Sequence, residues 1–123
     1  MGGVRSVGGG PVLPGLRLAV CGSAPIGPDL AERLPAVLGR PVLIRYGTTE
    51  TGLNVSNLYG EPRVGTPGVP LPGVLARIWA SGAERAAGQD GEIQLRGPQV
   101  FGGYWRDPAA TAAAFTPVGW FRS

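Results

Sequence analysis

The chain has 123 residues, the length of one domain or part of one, and at 43% hydrophobic and 15% charged residues it is not a charge-rich disordered tail. Its eleven basic residues are all arginine and form no cluster, so the net charge of +3 gives no electrostatic footprint for nucleic acid. Histidine and lysine are absent, which removes Ser-His and Cys-His nucleophile pairs, imidazole metal ligands, Schiff bases and a Walker-type lysine.

Residues 1–15 are dominated by Gly and Pro without a sustained period and are expected to be a poorly ordered tail. Leu16 to Val20 reads as a buried strand, followed by a Gly, Ser and Pro loop that begins at Cys21. Cys21 is the sole cysteine, so no internal disulfide forms; it reads as a small buried filler and suits a reducing compartment. Pro28 to Gly39 has helix ends: Pro28 for the first turn, Asp29 and Glu32 at the positive end, Gly39 as the stop. Pro35 is expected to kink or shorten it. A strand over Val42 to Tyr46 then completes the outline of a parallel βαβ unit.

That strand runs into RYGTTETG, Arg45 to Gly52, where hydroxyls and a carboxylate stand just past an apolar run. In open α/β sheets ligands bind at the carboxyl ends of strands, so Tyr46, Thr49 and Glu50 are the candidates for chemistry. Local pattern also allows Tyr46 to cap a core, and Thr49 and Glu50 to open a helix as a solvated cap.

Asn54 to Gly73 carries Gly and Pro too often for regular structure. Val74 to Ala80 and Glu92 to Arg96 read as an antiparallel hairpin, half-buried, with Val74, Ala76, Ile78 and Ala80 on one face. Gln99 to Trp105 is a third short aromatic-rich run, and Asp107 with Pro108 starts an Ala-rich helix that reaches Phe115. No apolar run nears the length of a membrane span, so a cytoplasmic protein is expected.

Five segments in order, GSAPI (Gly22 to Ile26), RYGTTETG, VGTPGVPLPGV (Val64 to Val74), GEIQLRGPQVFGGYW (Gly91 to Trp105) and FTPVGWFRS (Phe115 to Ser123), resemble the adenylate-forming superfamily of acyl-CoA synthetases. Within it the chain is most similar to malonyl-CoA or methylmalonyl-CoA synthetases. The resemblance runs from about Leu16 to Ser123. It implies an α/β fold in which residues 16–123 are the C-terminal part of an AMP-binding N-terminal domain, a βαβ piece of a sheet followed by a small antiparallel subdomain. It also implies activation of a carboxylate by ATP as an acyl-adenylate and transfer to coenzyme A.

Carried over by motif, Tyr46 lies against adenine, Thr49 binds phosphate, Glu50 holds magnesium, and Gly22, Ser23 and Ala24 form the loop whose backbone passes adenine. Gly47 corresponds to a turn. Glu92, Gly97, Tyr104 and Trp105 are expected to be architectural. Arg45 is the candidate to hold a second carboxylate on the substrate bidentately; it can equally point to solvent or pair with a neighbouring acid. Thr48 stands where many relatives carry Met or Leu.

The family's phosphate loop, ribose-binding Asp and catalytic Lys have no counterpart in these residues, so the 123 residues alone are expected not to adenylate, and the remainder of an enzyme is an expected partner. The parallel strands lack neighbours, which leaves open edges and a small core. A non-catalytic nucleotide-binding or interaction module is the alternative.

Overall fold

The computed structural model describes residues 13–123, so the expected tail falls outside the described residues except for a turn closed by Leu16 N–H donating to Leu13 O at 3.0 Å. The chain forms β1 (Ala19–Cys21), α1 (Pro28–Leu38), β2 (Val42–Thr48), β3 (Gly52–Ser56), β4 (Val69–Pro70), β5 (Leu75–Ala80), β6 (Ala83–Glu84), β7 (Glu92–Arg96), α2 (Pro108–Ala114) and β8 (Phe121–Arg122). They make two four-stranded sheets, ordered β1-β2-β3-β4 and β6-β5-β7-β8.

The βαβ outline holds: β1 and β2 are parallel, with Ala19 opposite Val42 and Cys21 opposite Ile44. The first strand is shorter than expected because its pairing partner begins only at Val42; Leu16 to Leu18 lead in without ladder bonds. In α1, Pro28 occupies the first turn, and Gly39 closes the helix at φ 68 with its N–H on Pro35 O at 2.8 Å. Pro35 lies inside the helix and does not end it. The helix covers the sheet thinly: Ala31 is buried, whereas Leu30 and Val37 stay exposed.

β2 does not end at Tyr46. It continues to Thr48, and a turn over residues 49–51 returns the chain as β3, antiparallel, with Thr48 opposite Gly52. Gly47 is therefore not at a turn; it sits inside the strand at a register shift between Tyr46 and Gly47. A Cβ there would lie 2.2 Å from the carbonyl oxygen of Gly52, so only glycine lets the two backbones approach. Thr49 and Glu50 open no helix.

The span expected to be irregular contains β3 and β4. The inward positions at its start, with Thr51 of the preceding turn, are polar: Thr51 and Asn54 are fully buried, and Ser56 and Asn57 nearly so. Each is satisfied, as buried polar groups must be. Thr48 and Thr51 share a hydroxyl hydrogen bond at 2.8 Å, Asn54 Nδ2 donates to Thr51 Oγ1 at 2.6 Å, and Gln99 Nε2 donates to Asn54 Oδ1 at 3.3 Å. Asn57 organises the loop that follows. It accepts from Arg63 N–H at 2.7 Å and donates to Thr66 O at 2.8 Å, with longer contacts to Ile44 O and Arg63 O.

In the second sheet β5 and β7 form the expected hairpin, Ile78 opposite Ile93, and β8 adds Phe121 opposite Leu95. Ala76, Ile78 and Ala80 share one face of β5 as expected, but burial does not follow that face: Ala76 is exposed, and Ile78 and Trp79, on opposite faces, are both half-buried. Leu95 and Phe121 are buried, and Phe101, Tyr104, Phe115 and Phe121 meet in ring pairs with centroids 4.8 to 5.9 Å apart. Residues 99–105 form no strand. On the opposite face Arg77 lies between the rings of Trp79 and Trp120, at 4.0 and 4.2 Å, and its Nε and Nη2 both donate to Gln94 Oε1. The Ala-rich helix forms as expected, Asp107 Oδ1 accepting from Ala110 N–H at 2.9 Å.

Among the described residues the fully apolar core is small: Ala31, Leu43, Leu95 and Phe121. Leu18, Val20, Leu30, Val37 and Leu53 are exposed on or beside the first sheet.

Candidate functional site

Three segments converge at the end of β2. The loop after β1 brings Ser23 and Ala24; β2 brings Arg45, Tyr46 and Gly47; the loop pinned by Asn57 brings Gly65 to Pro67. They enclose a cavity of ≈ 440 Å³. Parallel pairing of β1 with β2 is what puts the first two side by side, since both strands end at the same edge. Ser23 holds a left-handed backbone, φ 67, at the cavity mouth. Gly22 is not sterically demanded: a Cβ would meet only Arg45 O, at 3.5 Å.

A second, more open cleft of ≈ 650 Å³ lies beside it, lined by Gly22, Arg45, Thr48, Thr49 and Leu53. Arg45 borders both spaces, and its Nε is buried without a hydrogen-bond partner. A buried donor without an acceptor costs desolvation energy that a bound anion would recover. The half-buried guanidinium thus neither points wholly to solvent nor pairs with an acid among the described residues.

The hairpin tip carries the remaining candidates. Thr49 is exposed at its crest, and Glu50 follows. Glu50 is held twice from the second sheet's side: Phe101 N–H donates to its carbonyl at 2.7 Å, and the Tyr104 hydroxyl donates to Oε1 at 2.9 Å. Hydrogen bonds from the Glu50 backbone and then from Tyr104 hold its carboxyl below the ordinary value of 4.5. The same bond to Glu50 raises Tyr104 above its ordinary 10.0. The tip therefore presents an ionised carboxylate beside two threonine hydroxyls. Tyr46 bonds through its hydroxyl to Ser123 Oγ.

The sequence-derived candidates Gly22, Ser23, Ala24, Arg45, Tyr46, Gly47, Thr49 and Glu50 are thus gathered at one end of β2, although Gly22 and Thr49 line the open cleft and Glu50 stands at the tip, none of the three on the ≈ 440 Å³ cavity. Sequence reasoning passed over Asn57, Thr51 and Asn54, and took Tyr104 as architectural without a link to Glu50. The alternation in LNVSN was a signal for Asn54, obscured because its inward residues are polar; nothing local links Tyr104 to a carboxylate 54 positions away.

A family model described as AMP-binding enzyme matches residues 6–105. Malonate–CoA ligase ACSF3, mitochondrial, of Mus musculus is 40% identical, aligned over 88% of the chain and 22% of its own length. A CoA ligase of Gibberella moniliformis is 43% identical over 88% of the chain and 21% of its length. The crystal structure of ATP-bound MatB from Rhodopseudomonas palustris superposes with a TM-score of 0.81 at 44% identity, covering 87% of the chain and 22% of that structure. A malonyl-CoA ligase ternary product complex with methylmalonyl-CoA and AMP bound gives a TM-score of 0.76 at 51% identity, over 89% of the chain and 24% of that structure. The chain spans about a fifth of the length of the relatives it matches. Among the described residues no helix is long and apolar enough to cross a membrane.

Proposed function

The chain belongs to the AMP-binding enzyme family, and from that premise we propose that it supplies the nucleotide-facing strand and hairpin of an ATP-dependent acyl-CoA synthetase acting on malonate or methylmalonate. Residues 16–123 are the C-terminal part of that enzyme's AMP-binding domain. Tyr46, Gly22, Ser23 and Ala24 bound the adenine space, with Gly47 setting the backbone of the strand beside it. Thr49 offers its hydroxyl to phosphate, and Glu50 offers a carboxylate to magnesium. The observation that carries the proposal is the convergence of three chain segments on one cavity at the end of β2, with Arg45 along its wall.

The residues suit magnesium. Among those described, no cluster of three or more acidic, cysteine or histidine side chains could cage a metal, so Glu50 would bind an ion that takes its other ligands from phosphate and water, as magnesium does. Magnesium supplies charge neutralisation on the phosphates. Arg45, whose buried Nε lacks a partner, is the residue for the distal carboxylate of a dicarboxylic substrate. Coenzyme A is the acyl acceptor. The 123 residues contain no lysine, so general-acid or electrostatic help from an ammonium comes from elsewhere in the enzyme, and the isolated chain is inactive. The lone thiol, Cys21, suits a reducing compartment such as the cytoplasm; one relative is named as mitochondrial.

The test is an NMR titration of the 123-residue chain with ATP and then with malonate. ATP should shift the amides of residues 22–24 and 46–50, and malonate should shift those around Arg45 more than acetate does. Arg45→Ala should remove the difference between malonate and acetate and leave the ATP shifts. ATP shifts scattered over the surface, or an unchanged malonate preference in the variant, would overturn the respective assignment.

A further inference from the structure

Tyr104 belongs by sequence to a Gly-rich aromatic turn and by position to the second sheet's side, yet its hydroxyl ends on the hairpin of the first. It is 40% exposed, so its ring is not there to fill a core. Its placement is nevertheless fixed. The backbone N–H donates to Thr111 Oγ1 at 2.8 Å, and that hydroxyl in turn donates to Asp107 O at 2.8 Å, which ties the turn to the start of α2. Gly103 takes φ 143, and a Cβ on it would lie 2.6 Å from Thr111 Cγ2, so the turn is pressed against the helix. Phe101 meets the Tyr104 ring edge-on, with centroids 4.8 Å apart, and donates its own N–H to the Glu50 carbonyl. One short segment therefore grips Glu50 by both backbone and side chain.

We propose that Tyr104 is a positioning residue: by donating to Glu50 Oε1 it fixes the carboxylate on an otherwise solvent-facing hairpin tip and leaves Oε2 to meet a divalent cation. The proposal rests on Glu50 being the magnesium carboxylate. A carboxylate on an exposed turn samples several rotamers, and each must be given up when a cation binds. A neutral hydroxyl donor attached to a braced turn selects one rotamer in advance without adding charge. Partners of this outer kind characteristically govern metal affinity by 10- to 100-fold. Because the donor comes from the second sheet's side, the cation site is complete only when the two sheets are latched together at Glu50.

The experiment uses the full 123-residue chain with ATP and Mn2+, the latter as a paramagnetic stand-in for Mg2+, and reads free Mn2+ by electron paramagnetic resonance. ATP affinity is measured in parallel in EDTA. Tyr104→Phe keeps the ring and its packing against Phe101, and should weaken Mn2+ binding in the ATP-bound state by about 10-fold with metal-free ATP affinity unchanged. Glu50→Gln should abolish the protein-dependent Mn2+ binding. If Glu50→Gln abolishes it while Tyr104→Phe binds Mn2+ as well as or better than the parent, the positioning role is overturned and the Glu50 assignment stands. Equal loss of metal-free ATP affinity in Tyr104→Phe would mean that the hydroxyl supports the hairpin as a whole and not the cation site, and would also overturn it. Parent chain and Glu50→Gln behaving alike would overturn the Glu50 assignment, and the Tyr104 role with it.

Discussion

Substituting Gly47 by Ala tests whether the close approach of β2 and β3 shapes the site. The added Cβ would lie 2.2 Å from the Gly52 carbonyl oxygen and 3.1 Å from both Gly52 C and Leu53 Cα, all backbone atoms that no side-chain rotation can move away. Since Cβ atoms essentially never come within 3.0 Å of another heavy atom, the Gly52 carbonyl must retreat by about 0.8 Å (3.0 minus 2.2). That displacement falls on the Thr48–Gly52 pair, the last of the ladder before the turn. Losing one or two ladder hydrogen bonds at about 1 kcal/mol each, together with about 1–2 kcal/mol of overpacking strain, gives about 2–4 kcal/mol. For a chain of this size the melting temperature should fall by roughly 8–16 °C. The assay is thermal unfolding followed by circular dichroism, with two comparators. Gly52→Ala meets no atom within 4 Å but places Ala at φ 59, and should cost about 1–2 kcal/mol. Gly15→Ala meets nothing and has no such φ, and should stay within about 0.5 kcal/mol of the parent. If Gly47→Ala melts with Gly15→Ala, the close approach does not constrain the hairpin, and the steric argument for glycine in this motif is wrong.

Removing the Asn57 side chain by Asn57→Ala leaves Arg63 N–H and Thr66 O without their partner and should cost about 2–3 kcal/mol. Amide exchange at Arg63 should accelerate well beyond exchange at the β5–β7 ladder; equal protection would show that the loop does not depend on Asn57. The Glu50–Tyr104 bond also makes a pH prediction. Glu50 is lowered on folding, so its contribution is present above the ordinary 4.5 and is lost as pH falls through the lower folded value. Tyr104 is raised, so its contribution is present below 10.0 and is lost as pH rises through the higher folded value. The difference in melting temperature between the parent and Tyr104→Phe should therefore be constant from about pH 5 to 9 and shrink outside that window on both sides. A difference that grows in acid would refute the assigned bond.

The elements with strong local chemistry were legible. Pro28 and Gly39 marked the ends of α1, Asp107 and Pro108 marked the start of α2, and the apolar runs of β2 and β5 and the alternation of β7 needed no neighbour to be seen. Misplacements fell where the local signal had a different cause from the one assumed. Gly47 looks like a turn residue because glycines commonly are, yet here it serves the passage of a neighbouring backbone. Pro35 looks like a helix breaker, but the helix continues past it. Asn54 and Ser56 look like loop residues because they are polar, while each lies on the inward side of β3. That inversion is permitted only because Thr51, Gln99 and neighbouring backbone groups satisfy them.

By itself the sequence determined the chemistry at hand: arginine as the sole cation, no histidine or lysine, a run of hydroxyls and one carboxylate after an apolar strand, and motifs in an order that resembles one family. Hydroxyl, carboxylate and guanidinium carry their properties wherever the chain puts them. Tertiary structure decided which of them meet. The parallel pairing of β1 with β2 brought Ser23 and Ala24 to Tyr46, Asn57 drew Gly65 to Pro67 over the same cavity, and Tyr104 reached Glu50 from the second sheet's side. Those contacts depend on register and on distances closed between residues far apart in the chain, and hydrophobic periodicity encodes neither.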